Sequence, residues 1–181
     1  MSFTIRLATP ADAPAFFEHT HRHFAESGRD GDPIFTPMEE LGHWNKEAMV
    51  PRWEKSWELP VTEAGWERTW LVESAGRVVG HADLKNSGLS TSLHRAVYGI
   101  GLERSARGHG LGRSLTQTLL DWAEAQPSLY WMELYVFANN APALALYRKM
   151  GFAEIGRTPD LFRVHGQSID DIHMAKRLRE R

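Results

Sequence analysis

The chain has 181 residues, 42% apolar and 24% charged, with 15 glycines and 9 prolines scattered along it; this excludes collagen, coiled-coil and low-complexity classes and fits one soluble globular domain over 1–181. It has no cysteine, which removes disulfides, thiolate metal ligands and thiol nucleophiles, and it shows neither an apolar run of about 18 residues nor a leader pattern, so the expected location is cytoplasmic, away from membranes. The net charge of −2 conceals an acidic part, 12 acidic against 5 basic side chains in residues 12–67, and a basic part, 11 against 15 in residues 68–181; this suits a cationic substrate and an anionic cofactor, although solvated helix faces give the same imbalance.

Phe3, Ile5 and Leu7 alternate with polar residues and predict a first strand. Thr9 and Pro10 open a helix in which Ala13, Phe16, Phe17, Thr20 and Phe24 recur at helical spacing, until Gly28 stops it. Residues 29–38 read as loop. From Met38 to about Trp66 the pattern is less regular and predicts one or two short helices plus loop; five of the seven tryptophans lie between Trp44 and Trp70. Period 2 returns in a hairpin, 69–74 and 77–84 around a turn at Ala75 and Gly76, followed by a third strand at 95–103. Leu111, Leu115, Leu119 and Trp122 form one stripe of an amphipathic helix from Gly110 to Gln126, ended by Pro127. Residues 130–137 read as a buried strand. Asn139 or Asn140 caps a further helix, with Pro142 in its first turn, Ala143, Leu146, Tyr147 and Met150 on one face and Gly151 past its end. Strands at 152–156 and 168–175 close the chain. The tail Lys176, Arg177, Arg179, Arg181 reads as a frayed, solvated end with little support for nucleic-acid binding. The order β-α-α-β-β-β-α-β-α-β-β, without repeat or linker, defines one mixed α/β domain.

The most specific feature is Arg107-Gly108-His109-Gly110-Leu111-Gly112-Arg113-Ser114, between a strand and an amphipathic helix. Glycines let the backbone approach a ligand closely, and the free N–H groups and positive dipole end of the helix point at an anion. Arg107 and Arg113 add charge. No Gly-Lys-Ser/Thr follows, and position 113 is Arg where G-x-G-x-x-G needs Gly, so triphosphatase and Rossmann readings fall.

Arg107, Gly110 and Gly112 match the Arg/Gln-x-x-Gly-x-Gly/Ala signature of the GNAT superfamily of acyl-CoA-dependent N-acyltransferases, and Asn140, Ala143, Tyr147 and Gly151-Phe152 match its second block. The chain resembles that superfamily over nearly its whole length. A less specific similarity, at Gly80-His81, His94, Gly156, Gly166, Asp170 and Met174, is to a bacterial branch that includes amino-acid and polyamine acetyltransferases. The resemblance implies a mostly antiparallel central sheet flanked by helices, with acetyl-CoA as acyl donor and no metal. Pantetheine would pair with backbone at Ile100, Gly101 and Leu102, in the gap between the third strand, 95–103, and the fourth. Residues 107–113 would hold the pyrophosphate, Asn140 would meet the pantetheine arm, and Tyr147 the sulfur.

Acyl transfer to an amine needs a base, because a lysine-like amine with a pKa of about 10.4 is protonated at neutral pH. The oxyanion needs an N–H donor, expected from backbone near Leu102, and the departing thiolate needs a proton, for which Tyr147 is the candidate. Relatives often carry a Glu or His early in the strand before the glycine loop; here Ala96, Val97 and Tyr98 stand there. Substitutes are His81 and Asp83, on one face of the neighbouring strand, and His94 at the strand entrance. His19, His21 and His23 alternate on the first helix; without an HExxH arrangement or third ligand, a solvated helix face is the favoured reading. The tryptophans interleave with Glu39, Glu40, Glu47, Glu54, Glu58, Glu63 and Glu67, and aromatic faces beside carboxylates would suit a cationic amine. The expected function is direct acetyl transfer from acetyl-CoA to a primary amine of a small molecule or amino acid. A protein N-terminus or lysine as acceptor, and a noncatalytic acyl-CoA-binding module, are the alternatives. A homodimer is plausible from the free edges of such a sheet.

Overall fold

Strand periodicity and tight turns build one seven-stranded sheet in the computed structural model, which describes residues 2–40 and 44–180. Residues 41–43 of the tryptophan-rich stretch and Arg181 of the tail lie outside the described residues. The strands are β1 (Thr4–Leu7), β2 (Glu67–Ser74), β3 (Arg77–Lys85), β4 (Arg95–Leu102), β5 (Trp131–Phe137), β6 (Ala153–Val164) and β7 (Gln167–Arg177), in spatial order β1-β2-β3-β4-β5-β7-β6. Every neighbouring pair is antiparallel except β4 and β5, which run parallel. The β2–β3 turn has positive φ at both Ala75 (49°) and Gly76 (73°), the two-residue hairpin geometry that matches strand twist.

Two helices cover each face. Helices α1 (Ala13–Phe24) and α2 (Lys46–Glu58) bury Phe16, Phe17, Trp53 and Trp57 against Leu71 and Val78. Helices α3 (Leu111–Ala125) and α4 (Ala141–Lys149) bury Leu115, Leu119, Leu144 and Tyr147 against Val72, Ala82, Tyr98 and Leu134. Leu71 and Val72 are adjacent on one strand, and the alternation of the pleat sends them to opposite cores.

The stretch before β2 holds, among the described residues, the 13-residue helix α2, within the expected one or two helices plus loop, and it tolerates Pro51 in its interior. Two segments differ from expectation. Strand β6 runs 12 residues rather than five, because it is the outer strand: its polar, exposed sequence lacks a hydrophobic alternation, and an edge admits Pro159 and two register shifts against β7. The basic tail is docked. Strand β7 extends through Arg177, Lys176 Nζ donates to the Met150 carbonyl at 3.0 Å, Arg179 donates to the Glu124 carbonyl, and Arg177 pairs with Glu180 at 2.9 Å.

Candidate active site

Strands β4 and β5 pair only between Arg95–Val97 and Trp131–Glu133. Beyond that they part, and a cleft of about 1230 Å³ opens between them, larger than the roughly 300–1,000 Å³ of a drug-sized ligand site. Ile100, Gly101 and Leu102 form one wall, Tyr135 to Phe137 the other, and Asn140 and Tyr147 of the α4 segment close the far side. The expected pantetheine-pairing residues therefore face open space where a strand neighbour is missing.

At one end of the cleft lies the glycine loop, contributing Arg107, Gly108, Gly110, Leu111, Gly112 and Arg113. Gly108 and Gly110 have φ of 78° and 76°, and an added Cβ at either would touch nothing within 4 Å, so conformation rather than crowding demands glycine. Gly112 is glycine for space: a Cβ would lie 3.2 Å from Leu146 Cδ2, where α3 and α4 approach. Helix α3 begins without a side-chain cap, and its first internal bond is Ser114 N to the Gly110 carbonyl at 3.1 Å. The N–H groups of residues 111–113 precede that bond and, with the helix dipole, form an anion site. Arg113 is exposed beside it.

Two members of the loop depart from expectation. The Arg107 guanidinium is held by Glu26 at 2.6 Å, by Asp32 at 2.7 Å and by the Leu102 carbonyl at 2.9 Å, and it lies over the Phe35 ring. Its charge is compensated by carboxylates; it clamps the 26–35 segment to the end of β4 rather than standing free for a phosphate. His109 does not line the cleft: it packs edge-on against Phe3, 5.0 Å between centroids, with Nδ1 2.8 Å from the Arg107 carbonyl.

His23, Phe35, His81 and Asp83 line the cleft from the α1 side of the sheet. They fit because β4 carries glycine opposite them. In the antiparallel register His81 faces Gly101 and Asp83 faces Gly99. A Cβ on Gly101 would lie 2.5 Å from His81 Cε1 and 2.7 Å from His23 Cδ2, and one on Gly99 would lie 2.6 Å from Asp83 Oδ1. His81 Nε2 lies 3.8 Å from Asp83 Oδ1, and Lys85 Nζ lies 3.6 Å from Asp83 Oδ2. Two buried polar atoms of this group, Asp83 Oδ2 and His23 Nδ1, have no hydrogen-bond partner among the described residues. Burial, then the neighbouring His19, pushes His23 down to about 3, and burial, then the same neighbour, holds His81 well below the usual histidine value. Both rings are neutral near pH 7.

The α1 histidines correct the solvated-face reading. His21 is exposed, but His19 is fully buried and His23 nearly so, because positions 19 and 23 share the stripe of Phe16 that meets the sheet. His19 Nδ1 lies 2.9 Å from Glu103 Oε1 and His19 Nε2 lies 2.9 Å from His81 Nδ1. Among the described residues no group of three or more His, Asp or Glu side chains is arranged so that it could hold a metal ion. His94 is also corrected. Its carbonyl accepts from the backbone N–H of Tyr130 and Trp131 at the paired end of β4, and it does not line the cleft. The tryptophans leave the site too: Trp53 and Trp57 stack at 6.5 Å in the α1–α2 core, Trp66 and Trp70 pack on Trp122, and the aromatic rings in the cleft are Phe24, Phe35, Tyr98, Tyr135, Phe137 and Tyr147.

Tyr147 sits on the buried stripe of α4, its ring edge-on to Tyr98 at 5.8 Å. Burial, followed by the Asp83 charge, raises its pKa far above the usual phenol value, so it carries its proton at neutral pH. Asn140, which lines the cleft, caps α4 by accepting from Ala143 N at 3.3 Å.

A family model described as the acetyltransferase (GNAT) family matches residues 38–152. The chain belongs to the GNAT acetyltransferase family. It is 36% identical over 95 residues to the N-alpha-acetyltransferase RimI of Mycobacterium tuberculosis, covering 52% of this chain and 58% of that protein. It is 31% identical over 159 residues to the mycothiol acetyltransferase of Thermobispora bispora, covering 81% of this chain and 50% of that protein. The chain thus spans about half the length of these curated relatives. The GNAT phosphinothricin acetyltransferase of Sinorhizobium meliloti, solved in complex with acetyl-CoA, superposes with a TM-score of 0.80 at 20% identity, covering 98% of this chain and 89% of that one.

Proposed function

We propose that this GNAT chain forms one acetyltransferase domain over 1–181 that transfers an acetyl group from acetyl-CoA directly to a primary amine of a small molecule or amino acid. The observation that carries this reading is the single cleft that joins an uncapped helix terminus suited to a diphosphate, a strand wall without a neighbour, a protonated tyrosine and a neutral histidine beside a carboxylate. The 111–113 backbone holds the anionic end, and the open β4 wall at Ile100, Gly101 and Leu102 takes the extended arm. Asn140 meets that arm from the α4 side. Asp83 Oδ2, buried and unpartnered in hydrogen bonding, attracts the acceptor as its ammonium form. His81 removes the proton, the amine nitrogen attacks the thioester carbonyl, and backbone N–H near Leu102 stabilises the oxyanion. As the C–S bond breaks, Tyr147 gives its proton to the thiolate, and the second proton that the nitrogen sheds in becoming an amide passes to solvent, from which Tyr147 is reprotonated.

A small acceptor is favoured because the receiving carboxylate lies 6% exposed beneath the rings of the cleft, a depth that an amine on a slender stem reaches. The mycothiol acetyltransferase and the RimI similarities mark small-molecule and protein acceptors as the two arms of the test. A cytoplasmic location and a homodimer are parts of the same proposal, the latter through the outer strand β6, where Ile155 and Leu161 are exposed; sedimentation equilibrium gives the mass.

The experiment is thiol release from acetyl-CoA against pooled amino acids, polyamines, aminoglycosides and N-terminal or basic peptides. With no cysteine in the chain, a thiol reagent reports CoA alone. Release above the no-acceptor control in a small-amine pool is expected, and Asp83→Asn should raise KM for that amine. Release only with peptides moves the acceptor to a protein; silence in every pool with acetyl-CoA bound supports the noncatalytic module.

A further inference from the structure

Behind His81 two buried side chains continue away from the cleft. Glu103 Oε1 meets His19 Nδ1 at 2.9 Å, and His19 Nε2 meets His81 Nδ1 at 2.9 Å. Glu103 in turn accepts from Arg22 Nε at 3.0 Å and Arg77 at 3.2 Å. We propose that Glu103, His19 and His81 form a proton relay: it fixes the His81 lone pair on Nε2, the nitrogen that receives the acceptor's proton, and moves the resulting charge out of the cleft to Glu103. The proposal rests on the acyl-transfer reading and names how its base is held and discharged.

The hydrogen inventory of the chain determines the direction. Burial opposes the Glu103 charge, but the hydrogen bond from His19 and the arginines outweigh it and hold the carboxyl below its usual range. An ionised carboxylate only accepts, so the hydrogen between Glu103 and His19 sits on His19 Nδ1. Burial, partly countered by Glu103, keeps His19 below the usual histidine value and so neutral. A neutral imidazole carries one hydrogen, so His19 Nε2 is a bare acceptor and His81 Nδ1 must donate to it. Neutral His81 is then left with its lone pair on Nε2, 3.8 Å from Asp83 Oδ1 in the cleft. The opposite orientation requires His19 to be an imidazolium, and the two orientations therefore differ by one proton.

That difference is what a base must absorb. The acceptor ammonium gives its proton to His81 Nε2, His81 passes its Nδ1 hydrogen to His19 Nε2, and His19 becomes an imidazolium against the Glu103 carboxylate; nothing is oxidised or reduced. The charged and titratable groups around His81 favour this transfer. From α1 it faces His19 and His23, from its own strand Asp83 and Lys85, and from β4 only Gly101. Lys85 disfavours a positive charge retained on His81, whereas His19 has a carboxylate at hydrogen-bond distance. His19 and Glu103 act through His81 and are positioning residues.

The test begins with long-range proton–nitrogen correlation spectra of the full 15N-labelled chain near pH 8. Both His19 and His81 should carry hydrogen on Nδ1; hydrogen on His81 Nε2 overturns the relay, whatever the activity. The second arm is thiol release with butylamine as acceptor. Glu103→Gln should lower turnover roughly 10²-fold, the lower end of what a positioned base supplies, without changing acetyl-CoA affinity. It should also move the acidic limb of kcat/KM to lower pH, because the His19 imidazolium loses its counter-ion. His19→Gln, whose amide oxygen still accepts from His81 Nδ1 but cannot take up a proton, should keep the His81 tautomer and lose turnover. Unchanged turnover in both variants, or lost turnover with an unmoved acidic limb in Glu103→Gln, overturns the relay. If His81 carries its hydrogen on Nδ1 but no amine releases thiol, the acyl-transfer reading fails while the ordering of the three side chains stands.

Discussion

Gly101→Ala tests the packing on which the whole α1 side of the cleft depends. Gly101 lies in a strand, so alanine meets no backbone strain there; the perturbation is contact alone. The new methyl would lie 2.5 Å from His81 Cε1, 2.7 Å from His23 Cδ2 and 2.8 Å from His23 Nε2. Both rings must retreat by about 1 Å to regain ordinary contact, and both are buried, His81 being tied to His19 and His23 stacked on Phe35 at 4.6 Å. Overpacking of this kind costs about 1–3 kcal/mol, and distortion of the His19–His81 hydrogen bond adds about 1 kcal/mol. The gain of alanine over glycine in a strand returns about 0.5–1 kcal/mol. The net is about 2 kcal/mol, or about 4–8 °C in Tm for a chain of this size. Gly156→Ala is the control: its Cβ would lie 3.8 Å from the nearest atom, on the exposed strand β6, and its stability should stay within about 0.5 kcal/mol of wild type. Thermal denaturation of the two variants side by side measures the difference. Equal Tm values would refute the reasoning, because His81 and His23 would then be free to move and would not be held against β4.

Tyr147→Phe should keep acetyl-CoA affinity in calorimetric titration but lower turnover by about one to three orders of magnitude, as loss of a general acid does; unchanged turnover removes Tyr147 from the mechanism. Gly110→Ala, at φ 76° with open space around it, should cost about 1–2 kcal/mol of backbone strain and weaken acetyl-CoA several-fold by redirecting the 111–113 N–H groups; an unchanged Kd alongside a lowered Tm would remove those groups from the site. Glu67 is buried, and burial, with the Asp83 charge, raises it to about 7. A carboxyl raised in the folded state binds its proton more tightly there, so stability falls as pH rises from its ordinary value through about 7. Glu67→Gln should therefore gain stability over wild type between pH 5 and pH 8, by at most about 3 kcal/mol; a gain that shrinks with pH would contradict the assigned direction.

The parts of the fold legible in the sequence are those in which local pattern and tertiary demand coincide. The Leu111, Leu115, Leu119 stripe, the Ala75-Gly76 turn and the Asn140 cap each reappear because one short-range rule determines them. Strand β6 escaped because an outer strand with both faces exposed has no burial to impress on its sequence. Tyr147 and the glycine loop were recognisable by motif, whereas the contacts that take Arg107 and His109 away from their expected places were not. The charge of Arg107 was visible, but its partners Glu26 and Asp32 are about 80 residues away in sequence and no local signal links them.

The buried histidines show where sequence reasoning stops for a physical reason. Spacing of four places His19 and His23 on one face of α1, yet the same spacing serves solvent or core equally well. What decides is a set of compensations elsewhere: Gly101 vacates the volume for His81 and His23, and Glu103 satisfies the far nitrogen of His19. Each is unremarkable alone, since a glycine in a strand and a glutamate at a strand end have many causes. Together they make a buried polar line affordable, because a polar group removed from water costs little only when its hydrogen bonds are met. The line ends at Asp83 Oδ2 and His23 Nδ1, which have no hydrogen-bond partner among the described residues, and it is the Asp83 oxygen that the acyl-transfer proposal gives to the acceptor amine.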